Sequence, residues 1–451
     1  MKVKLTILLL LALIILLLLY SFLPSIPLKG KLSLQCNAAV GMESGLIEIS
    51  IKAQNIEGHS IKFFAQQYSD WMNVGDLIVK DAIGKELDVN QNSVTVIGDD
   101  FEHQIYSYEI DLSSAVQPLT ISYSVQPGTY GRHGHRGYLD KNFGLVSAGQ
   151  LFLLPKTKQD AEIRISFNVP GDWQVITPWQ KKEGFYAPEL LSASIEDSMN
   201  NTVIAFGQFT QKSRIINDFN VTVFSFSRWP EEHKQLISEN AFKLFSYQSS
   251  LFGAKHESSF FAVFAPFAED GGKIFGALWS NGLGFEMPYS TERNWELYSH
   301  RIHHVFNSYE PFGMKEEGKS RWFTEATASY YEIKSLSSLG FYDFNAGMKE
   351  LYQQFKAEQS LFSGSILSED YNKHYSELEF LHYRKAPIVA FLLNKEINLD
   401  EFMKFLYKKY GGTGNSFNVK KELGEFSGKS FDEFFSKYVD GKEEIKIKEF
   451  E

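Results

Sequence analysis

The sequence of 451 residues lacks the features of several common protein classes. It contains a single cysteine, Cys36, so no intrachain disulfide can form and the fold is not a disulfide scaffold. It has no long run of basic residues and a net charge of -10, which argues against nucleic acid as a partner. The balance of 43% hydrophobic and 22% charged residues argues against a disordered chain. A folded chain of this length is too long to be built around one hydrophobic core, so we expect two or three domains.

One long apolar run is present, at the amino terminus. Leu5–Leu23 is apolar apart from three residues, and a run of this length crosses a bilayer as a helix. A cleaved signal peptide is the alternative, but the residues that follow offer no small-x-small cleavage site. We therefore expect an uncleaved signal anchor over residues 1–24. By the positive-inside rule, Lys2 and Lys4 place the rest of the chain outside the cytoplasm, at the cell surface, in a periplasm or in a lumen.

Residues 25–226 have the pattern of a β-rich domain. Leu46–Lys52 alternates apolar and polar residues, which is typical of a half-buried strand. Turn signals such as Pro127-Gly128 separate such runs, and regular short strands of this kind predict a sandwich-like domain. The other alternating runs are Ser93–Ile97, Ile105–Ile110, Leu119–Val125, Glu162–Val169 and Val203–Phe209.

The pattern changes after Trp229-Pro230, where helical periodicity begins. We expect a mixed α/β domain over residues 227–340 and a helical region over residues 341–451, which makes the chain an α+β multidomain protein. The predicted elements are a helix over Glu231–Phe252, a buried strand over Phe260–Phe264, an extended edge over Phe275–Phe285, and helices over Thr291–Tyr309 and Thr324–Leu336.

Two histidines and a glutamate form a candidate metal site. On a helix, the four-residue spacing of His300 and His304 puts both imidazoles on one face, able to share a zinc ion. Such a pair alone is a weak signal, and two partly exposed surface histidines are the alternative. Catalytic zinc typically has three protein ligands and one open position, so Glu325 would complete the set. The alternative for Glu325 is a first-turn glutamate that favours the positive end of its helix.

The segments that carry these residues resemble the glycyl aminopeptidase-like zinc metallopeptidases of the gluzincin group, and more distantly aminopeptidase N. In those families His-Glu-x-x-His is followed by a Trp-x-x-Glu-Gly helix. Trp322–Glu325 matches the second motif, with Ala326 in place of glycine, and Asn307 lies three residues after the second histidine. Two later segments resemble the family in the same order, His382–Pro387 and Phe431–Gly441.

The resemblance implies a thermolysin-like fold for residues 227–340 and one zinc ion held by His300, His304 and Glu325. It also implies that Tyr383 donates its hydroxyl group to the oxyanion formed during peptide hydrolysis. A buried aromatic ring with a satisfied hydroxyl group is the alternative for Tyr383.

The resemblance also implies a substrate-binding edge strand over Gly276, Ala277, Leu278 and Trp279, where a peptide could add its backbone as an extra strand. Aminopeptidases of the N type hold the free amino group of the substrate with a glutamate at the position of Trp279. Because that carboxylate is missing, exopeptidase specificity by this route is not expected. Trp279 would instead line a hydrophobic peptide groove.

Residue 301 is the most consequential departure from the family. Active members have a glutamate directly after the first histidine, which takes a proton from zinc-bound water. Here that residue is Arg301, which stays protonated at physiological pH and cannot act as that base. Pairing with a carboxylate would turn Arg301 away from the zinc. Glu296 and Glu332 lie on the same two helices, but neither has the geometry of the missing base.

Three functions remain open from the sequence. The favoured one is a membrane-anchored, extracytoplasmic gluzincin homologue that binds zinc and a peptide or protein, with absent or strongly reduced hydrolysis. The second is an active zinc peptidase or aminopeptidase with a non-standard base. The third is a structural envelope protein without metal. Zinc content separates the third from the others, and peptide turnover separates the first two.

Overall fold

The fold is described from a computed structural model. Residues 1–24, the predicted signal anchor, lie outside the described residues. Within the ranges that follow, no helix is long and apolar enough to cross a membrane. The structure describes residues 30–68, 72–97, 102–127, 138–157, 159–188, 199, 202–266, 275–279, 282–287, 292–308, 312–318, 322–359, 365–366, 380–441 and 444–450.

The first part of the chain is built from strands because its apolar and polar residues alternate. Along β2, every second residue from Ile47 to Ala53 is buried, as the period-two pattern predicts. The strands are β1 Leu32–Gly41, β2 Leu46–Gln54, β3 Ser60–Tyr68, β4 Met72–Lys80, β5 Val89–Ile97, β6 Glu102–Asp111, β7 Leu119–Pro127, β8 Tyr138–Leu139, β9 Phe143–Ser147, β10 Leu154–Pro155, β11 Ala161–Asn168, β12 Gln174–Ile176, β13 Gln180–Lys182, β14 Phe185–Ala187 and β15 Val203–Gly207, with a short helix α1 at Ala148–Leu151.

These strands form three sheets in the described part of the chain. Their strand orders are β13-β14-β11-β1-β2-β7-β4, β10-β3-β6-β5 and β12-β15-β9-β8. Buried residues of all three sheets, among them Phe63, Ile121 and Phe206, share one hydrophobic core. The predicted β-rich amino-terminal domain is therefore confirmed.

A fourth sheet supports the candidate site. Its strand order is β16-β17-β18-β20-β19, and β17 runs parallel to β18. The first two strands fall within the segment expected to be β-rich, yet they pair with the strand that follows the first long helix. Alternation predicts that a segment is a strand, but it does not say which sheet the strand joins. The strands are β16 Phe209–Ile216, β17 Phe219–Phe226, β18 Ser259–Pro266, β19 Phe275–Trp279 and β20 Gly282–Met287, with a two-stranded ladder of β21 Lys315–Glu316 and β22 Ser416–Phe417 elsewhere.

The rest of the chain is mostly helical, as predicted. The first long helix, α2, follows Pro230 and ends at Gly253, whose φ of 64° lies in the left-handed region that favours glycine. The helices are α2 Glu231–Phe252, α3 Glu292–Asn307, α4 Trp322–Ser338, α5 Phe344–Glu358, α6 Ala386–Glu396, α7 Leu399–Tyr410, α8 Val419–Ser427 and α9 Asp432–Phe434, with π-helical segments at Leu381–Lys385 and Phe435–Val439.

A buried aromatic cluster fixes helix α3 against the fourth sheet. The ring of Phe219 in β17 lies 5.4 Å from that of Phe245 in α2 and 5.9 Å from that of Phe306 in α3, measured between centroids. It also lies 5.4 Å from the ring of Phe312. One residue of the sheet therefore contacts both helices and the segment that follows α3.

We expect Phe219→Ala to lower the free energy of unfolding by about 3–5 kcal/mol, because it removes a fully buried ring and leaves a cavity that its three aromatic neighbours line. Chemical denaturation of the purified protein measures the loss. Phe185→Ala is the control, since the Phe185 side chain is 38% exposed and its removal opens no cavity in this cluster. Equal losses for the two variants would contradict the role of Phe219.

Candidate metal centre

Two packed helices carry the candidate ligands. Helix α3 is held in the core by apolar residues at helical spacing, namely Trp295, Tyr298, Ile302, Val305 and Phe306. Helix α4 packs directly against α3. This packing turns His300 and His304 away from the aromatic core and towards the first turn of α4, where Glu325 lies.

The structure brings the three predicted ligands together. The Nε2 atoms of His300 and His304 are 3.1 Å apart. The Oε2 atom of Glu325 lies 3.5 Å from the first of these nitrogens and 3.3 Å from the second. Ligand bonds of about 2.0–2.2 Å at tetrahedral angles put the donor atoms about 3.3–3.6 Å apart, close to the observed separations, so the three side chains fit zinc.

The outer nitrogen of each imidazole contacts a partner that accepts a hydrogen bond. His300 Nδ1 lies 3.2 Å from Oε2 of Glu332. His304 Nδ1 lies 3.1 Å from Oδ1 of Asn307, whose amide nitrogen donates to the backbone oxygen of Thr324. Each Nδ1 therefore carries the proton of the neutral ring, which leaves both Nε2 atoms as lone-pair donors.

With both rings in this neutral form, no proton lies between the two Nε2 atoms and the Oε2 atom of Glu325. Two bare nitrogens and a carboxylate oxygen repel each other unless a cation lies between them. Within the described residues, the buried Oε2 atom of Glu325 has no hydrogen-bond partner. A metal ion satisfies all three lone pairs at once, whereas a single added proton satisfies two.

The electrostatics agree with a site that attracts positive charge. Burial alone lowers the pKa of His300, but the neighbouring carboxylates of Glu325 and Glu332 outweigh this and raise it. Burial lowers the pKa of His304, and the charges of His300 and Arg301 lower it further against the opposing effect of Glu325. Burial raises the pKa of Glu325, but the nearby histidines outweigh it and hold the pKa well below its usual range.

A buried glutamate holds the start of helix α4. The carboxylate of Glu316 in β21 accepts hydrogen bonds from the backbone nitrogens of Phe323 and Thr324, at 3.2 and 2.9 Å, and from the Thr324 hydroxyl group at 2.9 Å. Free backbone N–H groups at a helix start need such an acceptor. Burial raises the pKa of Glu316 to about 7 in spite of these bonds. Glu316 lies in a strand outside this helix, and its contacts help to fix the first turn of α4 and therefore the position of Glu325.

A second buried polar network lies behind the ligands. His303 Nδ1 lies 2.9 Å from Oε1 of Gln248 in α2, whose amide nitrogen donates to the Ser299 hydroxyl oxygen at 3.1 Å. The ring of His303 stacks on that of Tyr331, with centroids 5.1 Å apart. His303 thus lies in the core between three helices and does not join the ligand set.

Arg301 follows His300 directly, and no carboxylate residue lies between the two histidines. Its side chain is partly exposed. Among the residues that the structure describes, Arg301 pairs with no carboxylate, and its buried Nε atom has no hydrogen-bond partner. The ion pair that would turn Arg301 away from the site is therefore not found within these residues.

Tyr383 lies beside the ligands. Its ring centroid is 6.0 Å from that of His300, and it belongs to the π-helical segment Leu381–Lys385 that leads into α6. Single π-turns inside helices are frequent at functional sites. The same segment is tied to the carboxy-terminal region, because Lys385 Nζ donates to the backbone oxygen of Gly441 at 2.8 Å. This contact fixes the segment that carries Tyr383.

Among the described residues, the predicted substrate strand lies at the edge of its sheet. Gly276, Ala277, Leu278 and Trp279 lie in β19, which pairs antiparallel with β20 and packs beside α3. The orientation of the Trp279 side chain lies outside the described part of the structure.

Sequence reasoning missed the outer partners of the site. Glu332 lies two helical turns after Glu325, so the spacing carried a signal, but it was weighed only as a replacement base. It contacts the outer nitrogen of His300 and not the side where the ligands converge. Glu316 and Gln248 carried no local signal, because they reach the site from other elements.

Comparisons with known proteins agree with this architecture. Residues 68–191 match the sequence profile of the Peptidase M61 N-terminal domain. No curated protein matches the sequence. Similar solved structures include an aminopeptidase N family protein from Idiomarina loihiensis, with 16% identity, 92% of this chain and 77% of that chain covered, and a TM-score of 0.72.

Two further structures have lower scores. The M1 zinc metallopeptidase from Deinococcus radiodurans is 11% identical, with 92% of this chain and 94% of that chain covered and a TM-score of 0.56. Yeast LTA4 hydrolase is 12% identical, with 93% and 68% covered and a TM-score of 0.56. The chain thus has a fold like that of the M1 aminopeptidases. This confirms the predicted α+β architecture with a β-rich amino-terminal domain and a helical carboxy-terminal region.

We expect Glu316→Gln to remove part of the pH dependence of stability. The folded chain keeps a proton on Glu316 up to about pH 7, whereas the unfolded chain loses it near 4.5. Stability of the wild type therefore falls as pH rises through this window, by on the order of 3 kcal/mol from this group. Denaturant unfolding at several pH values measures the difference between the two proteins.

Glu317→Gln is the matched control, because Glu317 is the exposed neighbour of Glu316. We expect it to leave the pH dependence unchanged. A constant difference in stability between Glu316→Gln and the wild type across the window would contradict the titration of Glu316.

Proposed function

We propose that this protein is a membrane-anchored, extracytoplasmic homologue of the gluzincin zinc metallopeptidases. It binds one zinc ion through His300, His304 and Glu325 and a peptide or protein ligand beside it. Its hydrolytic activity is absent or strongly reduced. The observation that carries this proposal is the convergence of three buried donors next to a residue that cannot act as a base.

The contacts around the ligands support zinc binding. Metal-binding histidines usually donate their outer N–H group to a carboxylate or carbonyl oxygen, which fixes the ring and raises its basicity. Glu332 and Asn307 occupy these positions on His300 and His304. The zinc ion, when bound, would supply a Lewis acid that polarises a carbonyl oxygen.

Arg301 supports impaired hydrolysis. Peptide hydrolysis at such a site needs a group that takes a proton from the attacking water, and this help contributes about 10² to 10⁴ in rate. An arginine directly after the first histidine cannot take that proton. Glu332 does not replace it, because its carboxylate contacts the outer nitrogen of His300.

The sheet edge supports a peptide or protein ligand. Strand β19 is the last strand in the order of its sheet and packs beside the helix that carries both histidines. An extended peptide can pair with an edge strand through its main chain. Gly276 to Trp279 would form that pairing.

The proposed membrane anchor and extracytoplasmic location rest on the sequence alone. The support is the apolar run Leu5–Leu23 preceded by Lys2 and Lys4.

A second candidate is a slow zinc peptidase. Tyr383 lies 6.0 Å from His300 between ring centroids, which favours its participation in transition-state stabilisation. With zinc bound, this hydroxyl group would supply part of the catalytic effect beside a non-standard base. The first function predicts turnover at or close to background, and the second predicts turnover clearly above background that depends on Tyr383.

We expect the purified protein to hold about one zinc ion per chain, because three donors suffice for a zinc site of the catalytic type. The double variant His300→Ala, His304→Ala should lose it, since two of the three ligands are gone. Elemental analysis after dialysis measures the metal content.

His59→Ala is the control for loss of an exposed histidine elsewhere, and it should keep its zinc. Absence of zinc from the wild type, even after zinc is added back, would leave a structural protein that has only the fold.

We expect Arg301→Glu to raise peptide turnover of the zinc-loaded protein by about 100-fold or more over the wild type, because it restores a proton acceptor directly after the first histidine. A set of fluorogenic peptides with varied first residues measures the rate.

The triple variant His300→Ala, Arg301→Glu, His304→Ala should not show this increase in peptide turnover. Wild-type turnover as fast as that of Arg301→Glu would favour the second candidate instead.

A further inference from the structure

The charges around the candidate zinc site do not cancel. The carboxylates of Glu325 and Glu332 both lie beside His300, and their two formal negative charges would balance the two positive charges of a zinc ion. Both histidines are neutral as metal ligands. The guanidinium of Arg301 then leaves one positive charge uncompensated. A glutamate at this position would leave the site negative instead, so residue 301 reverses the sign of the charge that an incoming ligand meets.

Arg301 is placed to act on a ligand of that site. It lies three residues before His304 on α3, and side chains at this spacing are neighbours on a helix surface. The positive charge of Arg301 contributes to the electrostatics of His304, as described above. The Arg301 side chain is partly exposed and has no carboxylate partner among the described residues. It therefore has hydrogen-bond donors to offer a ligand that enters from solvent.

We propose that Arg301 makes this metal centre a receptor for a carboxylate group. This inference rests on the proposed zinc and peptide binding and adds the chemical class that the site selects. A single carboxylate has the one negative charge that the site lacks. Its two oxygens match the planar donors of a guanidinium, and such charge-assisted bonds are stronger than neutral ones.

Other ligand groups fit these charges less well. A neutral peptide carbonyl leaves the positive charge uncompensated in a partly buried site. A phosphate group carries nearly two negative charges and overcompensates it. The carboxylate can come from the carboxy terminus of a peptide or from an acidic side chain, since both present the same group.

Three peptides test the proposal on the zinc-loaded full-length protein in detergent. All are blocked at the amino terminus with a fluorophore and share one neutral, apolar sequence. The first has a free carboxy terminus, the second is amidated, and the third is amidated with one internal glutamate. Fluorescence anisotropy measures binding, and elemental analysis of the same samples measures zinc content. This readout does not depend on catalytic activity.

We expect the free acid to bind about 10- to 100-fold more tightly than the amide, which is the effect of one charge-assisted hydrogen-bonded pair. Arg301→Gln should remove this preference, so that the acid and the amide bind equally. Arg301→Lys should keep part of it, because it keeps the charge and loses the planar pair of donors. Arg214→Gln is the control, since Arg214 pairs with Glu239 on the outer strand β16 and should not affect binding.

The third peptide identifies the source of the carboxylate. Tight binding of the glutamate peptide assigns acidic side chains as ligands, and weak binding assigns the carboxy terminus. Equal binding of acid and amide by the wild type overturns the proposal without any variant. Tighter binding of a phosphoserine peptide than of either carboxylate peptide also overturns it. Zinc-loaded samples with no carboxylate preference contradict only this inference, whereas samples without zinc contradict the proposed function and this inference with it.

Discussion

The buried space between α3 and α4 holds three donor atoms that repel one another. The outer contacts of His300 and His304 fix their protons on the far side of each ring, so both inner nitrogens present lone pairs. The carboxylate of Glu325 adds a third lone pair within 3.5 Å. This arrangement is unfavourable without a cation and favourable with one. The helices, their caps and the surrounding core therefore have to hold the ligands against their own repulsion.

The fold supplies that support from several directions. The aromatic cluster around Phe219 fixes α3 on the sheet, and Glu316 fixes the first turn of α4. Gln248 and Tyr331 hold His303, so the rotation of α3 about its axis is determined by groups on both sides. Arg301 directly follows His300 on α3, and its side chain is partly exposed. The proposed function separates binding from hydrolysis, because three candidate metal ligands converge and the residue after the first histidine is an arginine.

Much of the architecture could be predicted from sequence patterns. Helix Glu231–Phe252 was predicted with the bounds that the structure has, because Pro230 and Gly253 mark its ends. The three donors were found because helical spacing places two of them together and a motif supplies the third. The sheet that β16 and β17 join could not be predicted, since alternation along one strand carries no information about its neighbour. Glu316 was missed for the same reason, because its contact with α4 arises only from tertiary packing.

The charge at residue 301 connects the proposed binding function with the absence of a base. Under the proposed function, an arginine beside the three candidate zinc ligands weakens attack by water and strengthens binding of an anion, so this one residue affects both properties.

The nature of the metal centre is tested most directly by zinc X-ray absorption spectroscopy of the purified, full-length protein. We predict a first shell of two imidazole nitrogens and carboxylate oxygen at about 2.0–2.2 Å, with one further light atom in the open position. The imidazole signal should disappear in the variant His300→Ala, His304→Ala. A zinc shell made only of oxygen atoms, or one unchanged in that variant, would contradict the account.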